Sequence, residues 1–96
     1  MDAKEKLSRE LLREVRKDPE FRKVSDQQQL AKDVGAEVAR IRKKKRMSEQ
    51  ELAEKIGRTA KIVKRMEKGE FKQYTLKMLL EIAAATNARL QFEFAD

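Results

Sequence analysis

MSEQELAEKIGRTAKIVKRMEKG, residues 47–69, is the stretch that decides the fold. Ser48 stands three residues before Glu51, the spacing of a capping box. The hydroxyl can accept from the Glu51 amide while the Glu51 carboxylate accepts from the Ser48 amide. Leu52 and Ile56 then supply the apolar pair of a short helix. Gly57 follows where a left-handed residue is needed to end it. Thr59 suits the N-cap of a next helix. Val63 and Met66 point that helix at a core, and Gly69 ends it.

The spacing is that of a helix-turn-helix. Ala53 is the small residue that lets two helices cross closely, Gly57 makes the tight turn, and Val63 is the branched residue that packs into their angle. Leu52, Ile56 and Met66 fill the remaining buried places. An ordinary helical hairpin is the alternative. In a helix-turn-helix the second helix enters the DNA major groove by its N-terminal residues. Here it spans about residues 60–68, with Ala60, Lys61, Lys64, Arg65 and Lys68 outward. Ala60 can touch only a thymine methyl, whereas Lys61, Arg65 or Lys64 can read guanine N7 and O6. Thr59 and Lys68 are placed to hold phosphates. Simple solvation is the alternative for any one of these lysines.

Upstream, Leu30, Val34, Val38 and Ile41 form an apolar stripe on a helix that Ser25 or Asp26 can cap and that runs to about residue 45. It ends in Arg42-Lys43-Lys44-Lys45-Arg46, read either as a solvated helix end favoured by the helix dipole or as a phosphate-contacting patch. Residues 3–17 carry Leu7, Leu11, Leu12 and Val15 on one face of a charged helix, stopped by Asp18-Pro19. Asp18 suits an N-cap and Pro19 a first helical position, so a short second helix with Phe21 and Val24 follows. Downstream, Thr75 caps a helix with Leu76, Leu79, Leu80, Ile82 and Ala83 as its apolar face. Leu90, Phe92 and Phe94 then alternate with polar residues, the pattern of a strand. A lone strand must pair within the chain or with a second copy, and a two-fold dimer joined by these residues is the preferred assembly. A tail lying on the core through Phe92 is the alternative. The expected fold is therefore all-α, a helix-turn-helix bundle of about five helices with a short C-terminal β-strand. Residues 1–25 form an N-terminal helical segment and residues 26–96 the helix-turn-helix domain.

Composition narrows the chemistry. Among 96 residues there is no cysteine and no histidine, which removes disulfides, thiolate metal sites and the commonest general base. No phosphate loop or catalytic constellation is visible, so the expectation is a protein that is not an enzyme and takes no cofactor or metal. The net charge of +7 suggests a polyanion partner, most often nucleic acid. Aromatic residues at 5% argue against single-strand stacking platforms and leave duplex DNA. No apolar run has the length of a membrane span, and the N-terminus lacks the apolar core of a signal peptide, so the expected compartment is the cytoplasm.

From Val34 to about Leu90 the sequence resembles the Cro/C1-type repressors. That resemblance implies an ion pair between Arg42 on the first helix and Glu67 late in the recognition helix. Two positions depart from the pattern. Glu49 stands where the family often has a glutamine on a phosphate, and Arg58 stands at a place usually apolar, from which it can reach outward to a phosphate. Taken with LLREVRKDPEFRKV (residues 11–24), YTLKMLLEIAAATNARL (residues 74–90) and the final LQFEF, the chain also looks like a HigA-type antitoxin. That resemblance implies a protein that neutralises a HigB toxin, a RelE-like ribonuclease cleaving mRNA on ribosomes, and represses its own operon. Leu7, Leu11, Leu12, Val15 and Phe21 would then bind the toxin as an amphipathic helix in a groove. Residues 1–32 hold nine Lys/Arg against seven Asp/Glu, a poor match for a basic toxin, so such binding would rest on apolar burial and on acids such as Glu10, Glu14, Asp18 and Glu20. The competing expectations are a stand-alone repressor without a toxin partner and a partner-binding module with no DNA role.

Overall fold

The computed structural model describes residues 18–95. Among them are four helices: α1 (Pro19–Lys44), α2 (Glu49–Lys55), α3 (Ala60–Glu67) and α4 (Leu76–Ala85). By packing, the chain divides into two units, Met1–Leu30 and Ala31–Asp96. The expected helix over residues 3–17, with Leu7, Leu11, Leu12 and Val15, lies outside the described residues.

The all-α class stands, but the described residues form four helices and no strand, not about five helices with a C-terminal strand. The short helix expected around Phe21 and Val24 and the next one expected from Ser25 or Asp26 are a single helix, α1. Asp18 caps it: its carboxylate accepts from the Glu20 amide at 3.0 Å and its carbonyl from the Arg22 amide at 2.9 Å. Past Pro19, nothing in the sequence breaks the helix before Gly35. Asp26, instead of capping, sits in mid-helix 3.7 Å from Arg22 one turn back. Residues 88–95 form neither helix nor strand. Alternating apolar residues make a strand only when a second strand takes up their backbone groups, and among the described residues none does. Leu90 is half-buried, while Phe92 and Phe94 are exposed and meet edge to face with ring centroids 5.8 Å apart.

The core belongs to the second unit. Val38, Leu52, Ala53, Ile56, Val63, Met66, Met78 and Ile82 are buried together, with Val34, Met47, Ile62, Phe71, Tyr74 and Ala85 packed against them. Of the stripe expected on α1, Val38 is buried and Val34 packs on the core, but Leu30 is exposed, and Ala31 and Gly35 turn inward beside them. Close approach of the backbones causes this. A Cβ on Gly35 would collide with the Met66 carbonyl, and one on Gly69 would stand 3.0 Å from the Lys32 Cα. Small residues let α1 cross the end of α3, and a leucine there would hold the helices apart. On α4 the inward residues are Met78 and Ile82, while Leu76 and Leu80, expected on the apolar face, point to solvent.

Each helix ends the same way. The amide two residues past the C-cap returns to a carbonyl in the last turn: Met47 to Arg42 at 3.0 Å, Arg58 to Ala53 at 2.8 Å, Glu70 to Arg65 at 3.0 Å and Ala88 to Ala83 at 2.8 Å. The residue between is left-handed in every case: Arg46 (φ 57°), Gly57 (φ 67°), Gly69 (φ 76°) and Asn87 (φ 51°). This is the Schellman motif, and it satisfies carbonyls that the helix leaves without partners. Arg46 alone is a residue with neither glycine's freedom nor asparagine's local bonding.

Two sets of substitutions test this account. Arg46→Gly relieves the left-handed strain and is expected to raise stability by up to about 1 kcal/mol in urea unfolding; a loss would mean that the turn depends on the arginine side chain. Gly57→Ala meets no neighbour and carries only φ strain, about 1 kcal/mol. Gly35→Ala forces two backbones apart and is expected to cost about 3 kcal/mol, read as a clearly larger fall in midpoint.

Candidate nucleic-acid interface

The helix-turn-helix is built from its caps inward. Ser48 and Glu51 exchange both bonds of the capping box, amide Glu51 to Oγ at 3.0 Å and amide Ser48 to Oε1 at 3.2 Å. Ala53, fully buried, lets α2 and α3 cross closely. Thr59 caps α3, its hydroxyl accepting from the Ile62 amide at 3.3 Å. Val63 and Met66, both without exposed surface, fix the rotation of α3 about its axis. That rotation decides which side chains face out. Lys61, Lys64, Arg65 and Lys68, spaced three and four apart on one side, are all exposed. Ala60 is half-buried at the first position, and Thr59 and Arg58 are exposed in the turn before it.

The carboxylate of α3 does not oppose this cationic face, because it is turned inward. Arg42 Nε donates to Glu67 Oε2 at 2.7 Å and Nη2 donates to Oε1 at 2.8 Å, a bidentate pair with side chains only 11% and 12% exposed. The remaining Nη1 donates to the Met47 carbonyl at 2.8 Å. The bonds to Glu67 hold the Arg42 proton more tightly than in an ordinary arginine; burial opposes this, and the charges of Glu67 and Glu49 add to it. Glu49, half-buried, therefore faces a cation of its own domain. Of the basic run 42–46, only Arg42 is engaged inside; Lys43, Lys44, Lys45 and Arg46 are exposed.

Among the described residues no group of His, Cys, Asp or Glu is placed to hold a metal ion, and no helix is long and apolar enough to cross a membrane. One position that sets the interface is not singled out by the sequence reading: Gly35, whose missing side chain seats α3 against α1. A glycine in the middle of an otherwise unbroken helix is its one visible signal.

The loop after α3 carries an electrostatic probe. Tyr74 is the chain's one tyrosine, and there is no tryptophan. Its ring meets Phe71 edge-on at 4.9 Å, and its hydroxyl is buried with no hydrogen-bond partner among the described residues. Burial, and then the charge of Glu67, push its ionisation up to about 12. The unfolded chain releases that proton first, near pH 10. Stability from this group is thus full below about pH 10 and is lost as pH rises towards about 12. Near-ultraviolet absorbance is expected to titrate with a midpoint near 12 in the folded protein and near 10 in urea. Coincident midpoints would put the ring in solvent.

Residues 37–91, more than half of the chain, match the Cro/C1-type HTH DNA-binding domain. No curated protein and no solved structure matches the chain. The matched stretch takes in the last part of α1, the whole helix-turn-helix and α4, and its family is one of DNA-binding domains rather than catalysts. The chain belongs to the Cro/C1-type helix-turn-helix DNA-binding family.

Proposed function

We propose that the protein is a transcriptional repressor that reads duplex DNA by laying α3 in the major groove. The observation that carries this is the outward face of α3, four cations wide, with the helix's own carboxylate, Glu67, bound from behind by Arg42. Lys61 and Arg65 are the base readers, with guanine N7 and O6 as acceptors, and Ala60 abuts a thymine methyl. Lys64 stands beside them on the same face. Thr59, Lys68 and Arg58 hold phosphates, which set position rather than sequence. The exposed Lys43, Lys44, Lys45 and Arg46 add charge that favours any duplex. The Arg42–Glu67 pair serves the fold; removing one member would leave a largely buried charge alone, at a cost of about 3–5 kcal/mol.

A toxin-neutralising role has the sequence resemblance behind it and nothing further. Leu7, Leu11, Leu12 and Val15 lie outside the described residues, Phe21 is half-buried on α1, and the family match begins only at residue 37. The stand-alone repressor is therefore the reading better supported.

The test uses a duplex selected by the wild-type protein from a randomised pool, with a scrambled duplex as control. Lys61→Ala combined with Arg65→Ala is expected to lose about 100-fold or more in preference for the selected duplex, at about 1–3 kcal/mol per reader. Both side chains are exposed, so the melting temperature is expected to stay within a few degrees. A double variant that still protects the selected site would remove α3 as the reading helix.

A further inference from the structure

α3 turns outward a face whose side chains can give hydrogen bonds and take none. Lysine carries three donors and arginine five, and neither carries an acceptor. Lys61, Lys64, Arg65 and Lys68 are exposed on that face, and Ala60 before them adds only a methyl group. The carboxylate of α3, on Glu67, has both oxygens taken by Arg42, at 2.7 and 2.8 Å. The other acids of the motif, and its one side-chain amide, lie on α2 and bond within their own domain. Glu51 Oε1 accepts from the Ser48 amide at 3.2 Å, Gln50 Nε2 donates to Glu54 Oε1 at 3.1 Å, and Glu49 faces Arg42. In this motif the first helix crosses the DNA backbone, so these groups stand away from the base edges. At the head of α3 the Thr59 oxygen accepts from the Ile62 amide at 3.3 Å, and its hydrogen is left to donate.

We infer that the operator presents α3 with two guanines on one strand, within three consecutive base pairs, and that adenine and cytosine are excluded from those two places. This rests on α3 as the helix in the groove and adds the class of duplex it takes. The major-groove edges decide between the bases. Guanine shows two acceptors, N7 and O6, side by side. Adenine sets its N6 amino group next to its one acceptor, and cytosine shows only an amino group. Each amino group needs an acceptor on the protein, and here a donor would meet a donor. Asparagine and glutamine, which match adenine, are both missing from α3. Thymine offers one acceptor and a methyl, which suits Ala60 but satisfies a cation less fully than guanine. Spacing sets the pattern. Lys61 and Arg65 are four residues apart, on one side of the helix and about 6 Å apart along it. Base pairs follow at about 3.4 Å, so guanines that are adjacent or one pair apart span this interval. Guanines placed alternately on the two strands would put a cytosine amino group under one of the cations.

The full chain is used to select duplexes from a randomised pool at one fixed ionic strength, with a scrambled duplex as control, because charge alone binds any duplex. The selected duplexes are expected to share two guanines on one strand within three base pairs. 7-Deazaguanine keeps the base pair and lacks the N7 acceptor; at either guanine it is expected to weaken binding about tenfold. Adenine at either place is expected to cost about 10- to 100-fold. Arg65→Gln sets an acceptor beside a donor at an exposed position, and reselection with it is expected to turn one of the two guanines into adenine. A shared site with adenine or cytosine at both places, or with guanines alternating between strands, overturns the inference while the repressor reading stands. So does 7-deazaguanine without effect, or an Arg65→Gln protein that still selects both guanines. A pool that returns no preferred duplex overturns the repressor reading, and the inference with it.

Discussion

Arg42 ties together three parts of the second unit. It sits in the last turn of α1, holds the Met47 carbonyl just before α2, and grips Glu67 at the end of α3 with two further bonds. Every donor used is fixed in the plane of one guanidinium, so the three segments are set at the angles that the plane permits. Apolar packing of Leu52, Val63 and Met66 supplies cohesion and fixes the rotation of α3 about its axis. The ion pair adds a directional tie between the end of α1, the turn before α2 and the end of α3. It also turns the carboxylate of α3 away from the surface, so the interaction that anchors the helix sets the sign of its outer face as well.

The part of the fold legible in sequence is the part fixed by local chemistry. Ser48 with Glu51, Gly57, Thr59 and Thr75 each act within a few residues, and each cap appears where its residue type predicts. Elements governed by what lies far away were misread. Ser25 and Asp26 have the composition of a cap, but a helix already under way passes through them because nothing there breaks it. Leu30 reads as core and is exposed, whereas Gly35 is buried, because the crossing of α1 and α3 favours smallness over hydrophobicity. The alternation at Leu90, Phe92 and Phe94 describes side chains correctly and says nothing of a ladder partner, so no strand results.

The site was legible for a different reason. Once Val63 and Met66 point inward, the period of the helix obliges Lys61, Lys64, Arg65 and Lys68 to point outward, with no tertiary information needed. The basic run was less transparent. Five adjacent cations look alike in sequence, and only the distant Glu67 separates Arg42, bound inside, from Lys43 to Arg46 in solvent.

The outward face of α3, made of lysine and arginine with its carboxylate turned inward, bears on how such a domain meets DNA. The chain holds no histidine and no cysteine, the side chains whose charge ordinarily changes near neutral pH. Each encounter with a duplex, whatever its sequence, therefore begins as an attraction, and the protein can slide along the backbone before any base is read. The rate at which a site is found then follows the ionic strength of the surroundings and not their acidity.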